Sequence, residues 1–167
     1  KNATDLQEDF LTNMFGCTSI PLDATSQRNA FNRLIIDTLG TDCSYNIIKN
    51  IHEILNDKIE EFKDTPEPLE IGKQDILQLF EDSGVPNSRI ENFNRTYDET
   101  IGQHTTLLAT NITNPKNFNI ETPDVVVKVN PEATDLVETQ VINGRQCLVI
   151  AINDHLEVNG IDVLSAK

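Results

Sequence analysis

The periodicity of the apolar residues changes near residue 105, and this change limits the possible folds more than any other feature of the sequence. Before it, apolar residues recur every three or four positions, as they do on one side of an amphipathic helix. After it, short runs of β-branched residues are separated by turn residues, which is typical of strands. Helices followed by strands predict an α+β fold. We therefore expect one α+β domain over residues 1–167, helical in 1–104 and β-rich in 105–167.

The helical part is predicted to hold about five helices. The first covers residues 5–15, and the second begins after a cap at Thr25 or Ser26 and ends at Gly40. A hydroxyl at the cap accepts a hydrogen bond from a backbone N–H that the first turn leaves unpaired, and glycine readily ends a helix. The connection to the β-rich part, residues 105–113, is either a strand or a linker.

The third helix has the clearest pattern. Asp42 or Ser44 can cap it, and Thr65-Pro66 ends it. An apolar seam runs along it at helical spacing, through Ile48, Ile51, Leu55, Ile59 and Phe62. Such a seam is either the core stripe of one chain or the interface of a dimer. We favour the core, because the other predicted helices and strands also need apolar residues to pack against. Homodimerisation through residues 48–62 remains as an alternative.

Two further helices, over residues 74–83 and 87–101, are predicted to form a helix-turn-helix pair around Gly84. Asn87 or Ser88 can cap the second of them. The pair invites a DNA-binding interpretation, but three basic and six acidic residues lie between positions 73 and 101. A recognition helix must approach phosphates, which this charge repels. We therefore expect a packed helical hairpin.

The β-rich part centres on a hairpin. Residues 136–142 and 145–152 flank Asn143-Gly144, the dipeptide most typical of a two-residue hairpin turn. A strand over 125–129 precedes this hairpin, and a smaller hairpin over 156–163 follows it. We expect about three to five strands in an antiparallel meander that packs on the helices.

The turn also predicts which strand residues face the helices. It places Val137, Thr139 and Val141 on one side of the hairpin. Leu148 and Ile150 of the second strand lie on the same side. Because most of these residues are apolar, this face is expected to join the core.

The chain is strongly acidic, with 13 Lys+Arg against 27 Asp+Glu and a net charge of -14 at pH 7. This balance excludes unaided binding to nucleic acid or to an anionic membrane, because both depend on Lys and Arg. No apolar run approaches the roughly 18 residues of a membrane span. Three cysteines without a CxxC pair are typical of the reducing cytoplasm rather than of a disulfide framework.

The histidines do not predict a metal site. His52-Glu53 resembles the start of an HExxH zinc motif, but Asn56 stands where the second imidazole is required. We therefore expect His52 to be a polar residue beside the helix seam. His104 and His155 lie in predicted loops with no partner at ligand spacing. No cofactor is expected.

A pair of carboxylates offers a catalytic alternative. Asp124 precedes a strand and Glu138 lies on the next one, as in nucleases of the PD-(D/E)xK type, where two carboxylates hold Mg²⁺. Gln140 stands in place of the lysine of that pattern. The pair would have to converge with Asp135 or Glu132 to bind a divalent metal for hydrolysis.

Several short strings across the chain form a recognisable set. In the C-terminal part they are residues 122–132, 135–139, 143–145 and 157–160. Upstream they are residues 16–17, 39–40, 42–43, 50–53 and 83–85. Together they resemble the C-terminal part of a bacterial family that is known only as a domain of unknown function. The resemblance implies a bacterial cytoplasmic origin and a longer parent protein, and it implies no catalytic residues.

These observations predict a non-catalytic interaction or structural module of a larger cytoplasmic bacterial protein. Its partner would be a protein: another chain, the rest of its own chain or a second copy. Two alternatives remain open at this point. One is a hydrolase that binds a divalent metal through Asp124, Glu138 and Asp135, and the other is a homodimerisation domain.

Overall fold

The structure, a computed structural model, describes residues 22–163. Its helices are α1 (Ala24–Leu39), α2 (Tyr45–Phe62), α3 (Lys73–Asp82), α4 (Asn87–Ile90), α5 (Phe93–Thr100) and α6 (Ala109–Ile112). Short 3₁₀ segments lie at Gly40–Asp42 and Pro131–Leu136. The helix predicted over residues 5–15 lies outside the described residues. Helices precede the antiparallel strand pairs, which confirms the predicted α+β class.

The cap of α1 lies earlier than predicted. Asp23, rather than Thr25 or Ser26, is the cap residue, and its carboxylate accepts a hydrogen bond from the backbone N–H of Ser26 at 2.8 Å. An aspartate at this position satisfies a first-turn donor and also places negative charge at the positive end of the helix dipole. The helix ends at Gly40, as predicted, where the backbone φ is 52°.

The seam of α2 is part of the core of one chain. Ser44, one of the two predicted caps, accepts a hydrogen bond from the backbone N–H of Ile47. Ile51 and Leu55 are both fully buried against other residues of the same chain. The two central residues of the seam therefore leave no surface for a second copy, which favours the predicted core stripe over a dimer through residues 48–62.

The second helix of the predicted helix-turn-helix pair is two helices. Gly84 takes left-handed backbone after α3, as predicted, and the Val85 N–H returns to the Phe80 carbonyl. Pro86 then starts α4, so neither Asn87 nor Ser88 is the cap. The chain turns at residues 91–92 before α5 begins. This break lets α5 present its buried aromatic residues to α3.

One apolar core holds the helices together. Phe31 of α1, Ile51 of α2 and Phe80 of α3 are fully buried in it. The rings of Phe80 and Phe93 meet edge to face with centroids 5.5 Å apart, which is a favourable arrangement of two aromatic quadrupoles. Leu107, in the segment predicted as strand or linker, is also fully buried in this core.

The described strands form four separate two-stranded pairs rather than one meander. The strands are β1 (Glu70–Ile71), β2 (Leu107–Leu108), β3 (Phe118–Glu121), β4 (Val126–Val129), β5 (Val137–Ile142), β6 (Arg145–Ile150), β7 (Leu156–Val158) and β8 (Ile161–Val163). The pair β1–β2 joins distant parts of the chain, and β3 was not predicted. We call β3–β4, β5–β6 and β7–β8 the C-terminal hairpins.

The β5–β6 hairpin has the predicted register, but its apolar face joins the core at one end only. Val137 pairs with Ile150, and Thr139 pairs with Leu148. Val137 is 3% exposed, whereas Ile150 is 49% and Val141 is 74% exposed. The expectation that this whole face is core is therefore wrong, because the strands extend beyond the helices on which they start.

Two adjacent isoleucines of α1 test the core directly. Ile35 is 4% exposed and Ile36 is 62% exposed. We expect Ile35→Ala to lower the free energy of unfolding by about 2–5 kcal/mol, because it leaves a cavity in the core. The matched variant Ile36→Ala should stay within about 0.5 kcal/mol of the parent protein. Chemical denaturation of both variants checks this, and equal losses would contradict the assigned faces of α1.

Candidate functional site

The carboxylates predicted to hold a metal do not come together. Asp124 lies exposed in the turn between β3 and β4, and Glu138 lies exposed on β5. Asp135 pairs instead with the Lys49 ammonium of α2, at 3.1 Å. Within residues 22–163, these side chains form no group of three metal-ligating atoms in mutual reach. The physical reason is that β4 and β5 belong to different hairpins and are not neighbours in one sheet.

The other acidic residue of that prediction, Glu132, lies beside a small cavity of about 230 Å³. Glu53, Asp57 and Glu60 of α2 line the same cavity. Gln140, which replaces the lysine of the nuclease pattern, donates a hydrogen bond to Glu138 through its side-chain amide. Neither residue therefore completes a site with Asp124.

A different group of metal-ligating side chains lies on the last hairpin. The ligand atoms of His155, Glu157 and Asp162 all lie within 4.8 Å of one another. The prediction that His155 has no partner is therefore wrong. The register places Glu157 directly opposite Asp162, and the turn dipeptide Asn159-Gly160 is the sequence signal that could have revealed this. All three side chains are exposed, and exposed acidic groups are common without a bound ion.

A cavity with a volume of about 570 Å³ lies between α1, α2, α6 and β3. We call it the His52 cavity. Its polar wall includes Arg28, Asn32, His52, Asn56, Asn117 and Glu121. Helical spacing explains part of this wall, because Arg28 and Asn32 are four residues apart on α1, and His52 and Asn56 are four apart on α2.

A fixed hydrogen-bond network forms the base of the His52 cavity. His52 Nδ1 lies 2.9 Å from the hydroxyl oxygen of Thr113, and this hydroxyl donates to Asn56 Oδ1 at 3.3 Å. A hydroxyl has one proton to donate, so it accepts from the Nδ1–H of His52. In this arrangement of the network, the imidazole has its proton at Nδ1 and its lone pair at Nε2. Sequence reasoning placed His52 beside the seam but missed this network, because Thr113 is 61 residues away.

Burial holds the pKa of the His52 imidazole below its usual value. A desolvated imidazole is more stable in its neutral form, because the charged form loses its hydration. The ring also meets the Phe118 ring edge to face, with centroids 6.1 Å apart. His52 is therefore a neutral, oriented hydrogen-bonding group at neutral pH.

The C-terminal hairpins carry most of the exposed aliphatic surface in the described part of the chain. Ten of the twelve large exposed apolar residues of residues 22–163 lie between positions 125 and 163. On β7–β8, the cross-strand pairs Leu156–Val163 and Val158–Ile161 share one face, and all four side chains are exposed. Each hairpin is also paired only with itself, so its outer edges carry backbone groups that no described strand pairs.

Acidic residues outnumber basic residues in the segment that carries this apolar surface. Residues 118–163 contain eight Asp and Glu against two Lys and Arg. On β7–β8, Glu157 and Asp162 lie on the face opposite the aliphatic pairs, because side chains alternate along a strand. Each hairpin of this region thus combines exposed aliphatic groups with negative charge.

Comparison with known proteins agrees with the resemblance found in the sequence. Residues 1–161 match the model of a family described as Domain of unknown function (DUF4317). A comparison with curated proteins gave no match, and a comparison with solved structures gave none either. Among the described helices, none combines the length and the apolar composition that a membrane span requires.

The neutral state of His52 predicts a pH dependence of stability. The unfolded imidazole titrates near pH 6.5, and the folded one titrates lower. Between these values the unfolded chain binds more protons, so the free energy of unfolding rises with pH in that window. The contribution of His52 is complete above about pH 6.5 and is lost as the pH falls towards the folded pKa.

Denaturation of the parent protein and of His52→Gln between about pH 8 and pH 5 measures this contribution. The difference in unfolding free energy between the two proteins should shrink as the pH falls below about 6.5. A difference that stays constant over the whole range would contradict the burial of a neutral imidazole.

Proposed function

The chain belongs to the DUF4317 family, and we propose that it is a non-catalytic interaction module that binds another polypeptide through the C-terminal hairpins. The observation that carries this proposal is the set of exposed aliphatic side chains on these hairpins, which the other described residues leave uncovered. Monomeric proteins rarely expose large contiguous apolar patches, and such patches mark sites of interaction. The exposed residues are Val125, Val126, Val141, Ile142, Ile150, Ile152, Leu156, Val158, Ile161 and Val163.

The isolation of the hairpins supports the same proposal. A single two-stranded hairpin is at most marginally stable in water, and three or more strands or a packed helix are needed to hold it. The β7–β8 hairpin has three residues in each strand, and all six are exposed. A partner strand added to such an edge would supply backbone hydrogen bonds and would cover the aliphatic side chains.

The charge of the region favours a basic partner. With eight acidic and two basic residues in 118–163, a second copy of the chain would bring like charge to the interface. Like charges placed together oppose association, whereas opposite charges accelerate it and select the partner. We therefore propose a partner segment that alternates apolar residues with Lys or Arg, in a different protein.

We further propose that the module works in the bacterial cytoplasm. The resemblance to a bacterial family and the cysteines support this location. Cys43 and Cys147 have free thiols, and Cys43 is exposed. Exposed thiols persist in a reducing compartment, whereas oxidising compartments convert them to disulfides.

Two valines on one face of β5 test whether the outer part of the hairpin is interface rather than core. Val137 is 3% exposed and Val141 is 74% exposed. Threonine has the shape of valine but carries a hydroxyl in place of one methyl group. Val137→Thr should therefore lower the free energy of unfolding by about 1–3 kcal/mol. Val141→Thr should change it by less than about 0.5 kcal/mol. Urea denaturation checks both, and a comparable loss in Val141→Thr would show that this residue is core.

Site-specific photo-crosslinking in the full-length protein, in its native cells, tests the proposed partner. A photoreactive residue at Val141 or Ile161 should give a discrete crosslink to a segment of another protein that carries Lys or Arg beside apolar residues. The matched control is the same photoreactive residue at Ile36, which is 62% exposed on α1, outside the hairpins. The control should give no such product.

Three outcomes would overturn the proposal. The first is a crosslink from Val141 and Ile161 to a second copy of the chain. The second is a crosslink to another segment of the same chain. The third is the same pattern from Ile36 as from the two hairpin positions, which would mean that the apolar hairpin surface has no special role.

A further inference from the structure

Independently of the hairpins, we infer that the His52 cavity binds a small, uncharged, hydroxyl-rich molecule, a simple sugar by chemical class. The cavity volume of about 570 Å³ lies within the range of small-molecule sites, which is roughly 300–1,000 Å³. Its walls come from three helices, a connecting segment and a strand, so residues far apart in the sequence converge on one space.

The wall is rich in groups that both donate and accept hydrogen bonds. Five asparagine side chains line the cavity: Asn32, Asn56, Asn114, Asn117 and Asn119. Each amide carries two N–H donors and a carbonyl acceptor, and the carbonyl oxygens of Asn56 and Asn114 already accept from Thr113 and from the Lys116 N–H. A ligand that carries many hydroxyl groups matches such a wall, because a hydroxyl also donates and accepts. An apolar ligand would leave these amides without partners, which costs free energy.

The network at the base of the cavity orients two of these groups. Asn56 accepts from Thr113 through Oδ1, so its side-chain N–H groups are left for other partners. His52 uses Nδ1 with Thr113, and Nε2 keeps its lone pair for a hydroxyl donor. The Asn56 amide thus offers a donor and His52 Nε2 offers an acceptor, four residues apart on α2. This arrangement is preorganised, because the network holds it before any ligand binds.

The charges of the wall favour an uncharged ligand. Burial keeps His52 neutral, and the asparagines carry no charge. Arg28 and Glu121 are the charged residues of the lining, and they have opposite signs. The Arg28 Nε already donates to the backbone carbonyl of Asn111 at 3.2 Å. An anionic ligand would also have to approach a protein with a net charge of -14, which repels it.

Calorimetric titration of the protein with glucose, galactose and N-acetylglucosamine tests this inference. At least one of these sugars should bind with a dissociation constant of about 1 mM or below. Glucuronate, which has a similar skeleton but carries a negative charge, should bind at least about tenfold more weakly. If none of the three neutral sugars binds, or if glucuronate binds as well as they do, the inference is wrong.

Two exposed asparagines on helices serve as a matched pair. Asn32 lines the cavity on α1, whereas Asn94 lies on α5 and does not line it. Asn32→Ala should weaken sugar binding about 3- to 10-fold, the loss of one hydrogen-bonding group. Asn94→Ala should leave the affinity unchanged. Equal affinities in Asn32→Ala and the parent protein would place the bound sugar outside this cavity and overturn the inference.

Discussion

Helix α2 holds the two parts of the structure together. Its inner stripe, through Ile51 and Leu55, is fully buried in the helical core. Its other residues contact the β-rich part and the segment before it. Lys49 pairs with Asp135 at 3.1 Å, and Glu53 accepts a hydrogen bond from Thr134. His52 contacts Thr113 at 2.9 Å, and Tyr45 contacts Phe118 and Val137. Because one helix makes both sets of contacts, the burial of its stripe helps to position the first residues of β3 and β5.

The exposure of the hairpins follows from their distance to this helix. Val137, at the start of β5, is buried where the strand leaves the helices, and Val141 of the same strand is mostly exposed. On β7–β8, every strand residue is exposed. The core therefore explains the first residues of the β-rich part and leaves the later aliphatic residues without a folding role. A partner that covers these residues would account for their apolar character, which is why we propose the interaction at this end.

Patterns within one element were predictable from the sequence, and contacts between elements were not. The α2 seam and the β5–β6 register depend on local spacing, so periodicity and the Asn143-Gly144 turn predict them. The break at residues 91–92 was missed because apolar spacing continues across it, while core packing requires a turn. The predicted meander was wrong because nothing local in a hairpin specifies which strand lies beside it. The carboxylates predicted to bind a metal do not converge for the same reason, since β4 and β5 lie in different hairpins.

The two candidate surfaces differ in chemistry although α2 connects them. The hairpins combine aliphatic groups with eight acidic and two basic residues, which suits a macromolecule that supplies both apolar area and positive charge. The His52 cavity has neutral amides, a neutral imidazole and one charge of each sign, which suits a small polar molecule. His52, which contacts Thr113, and Lys49, which pairs with Asp135, lie one turn apart on α2. The cavity wall and the segment from which β5 starts are therefore both positioned by contacts to α2.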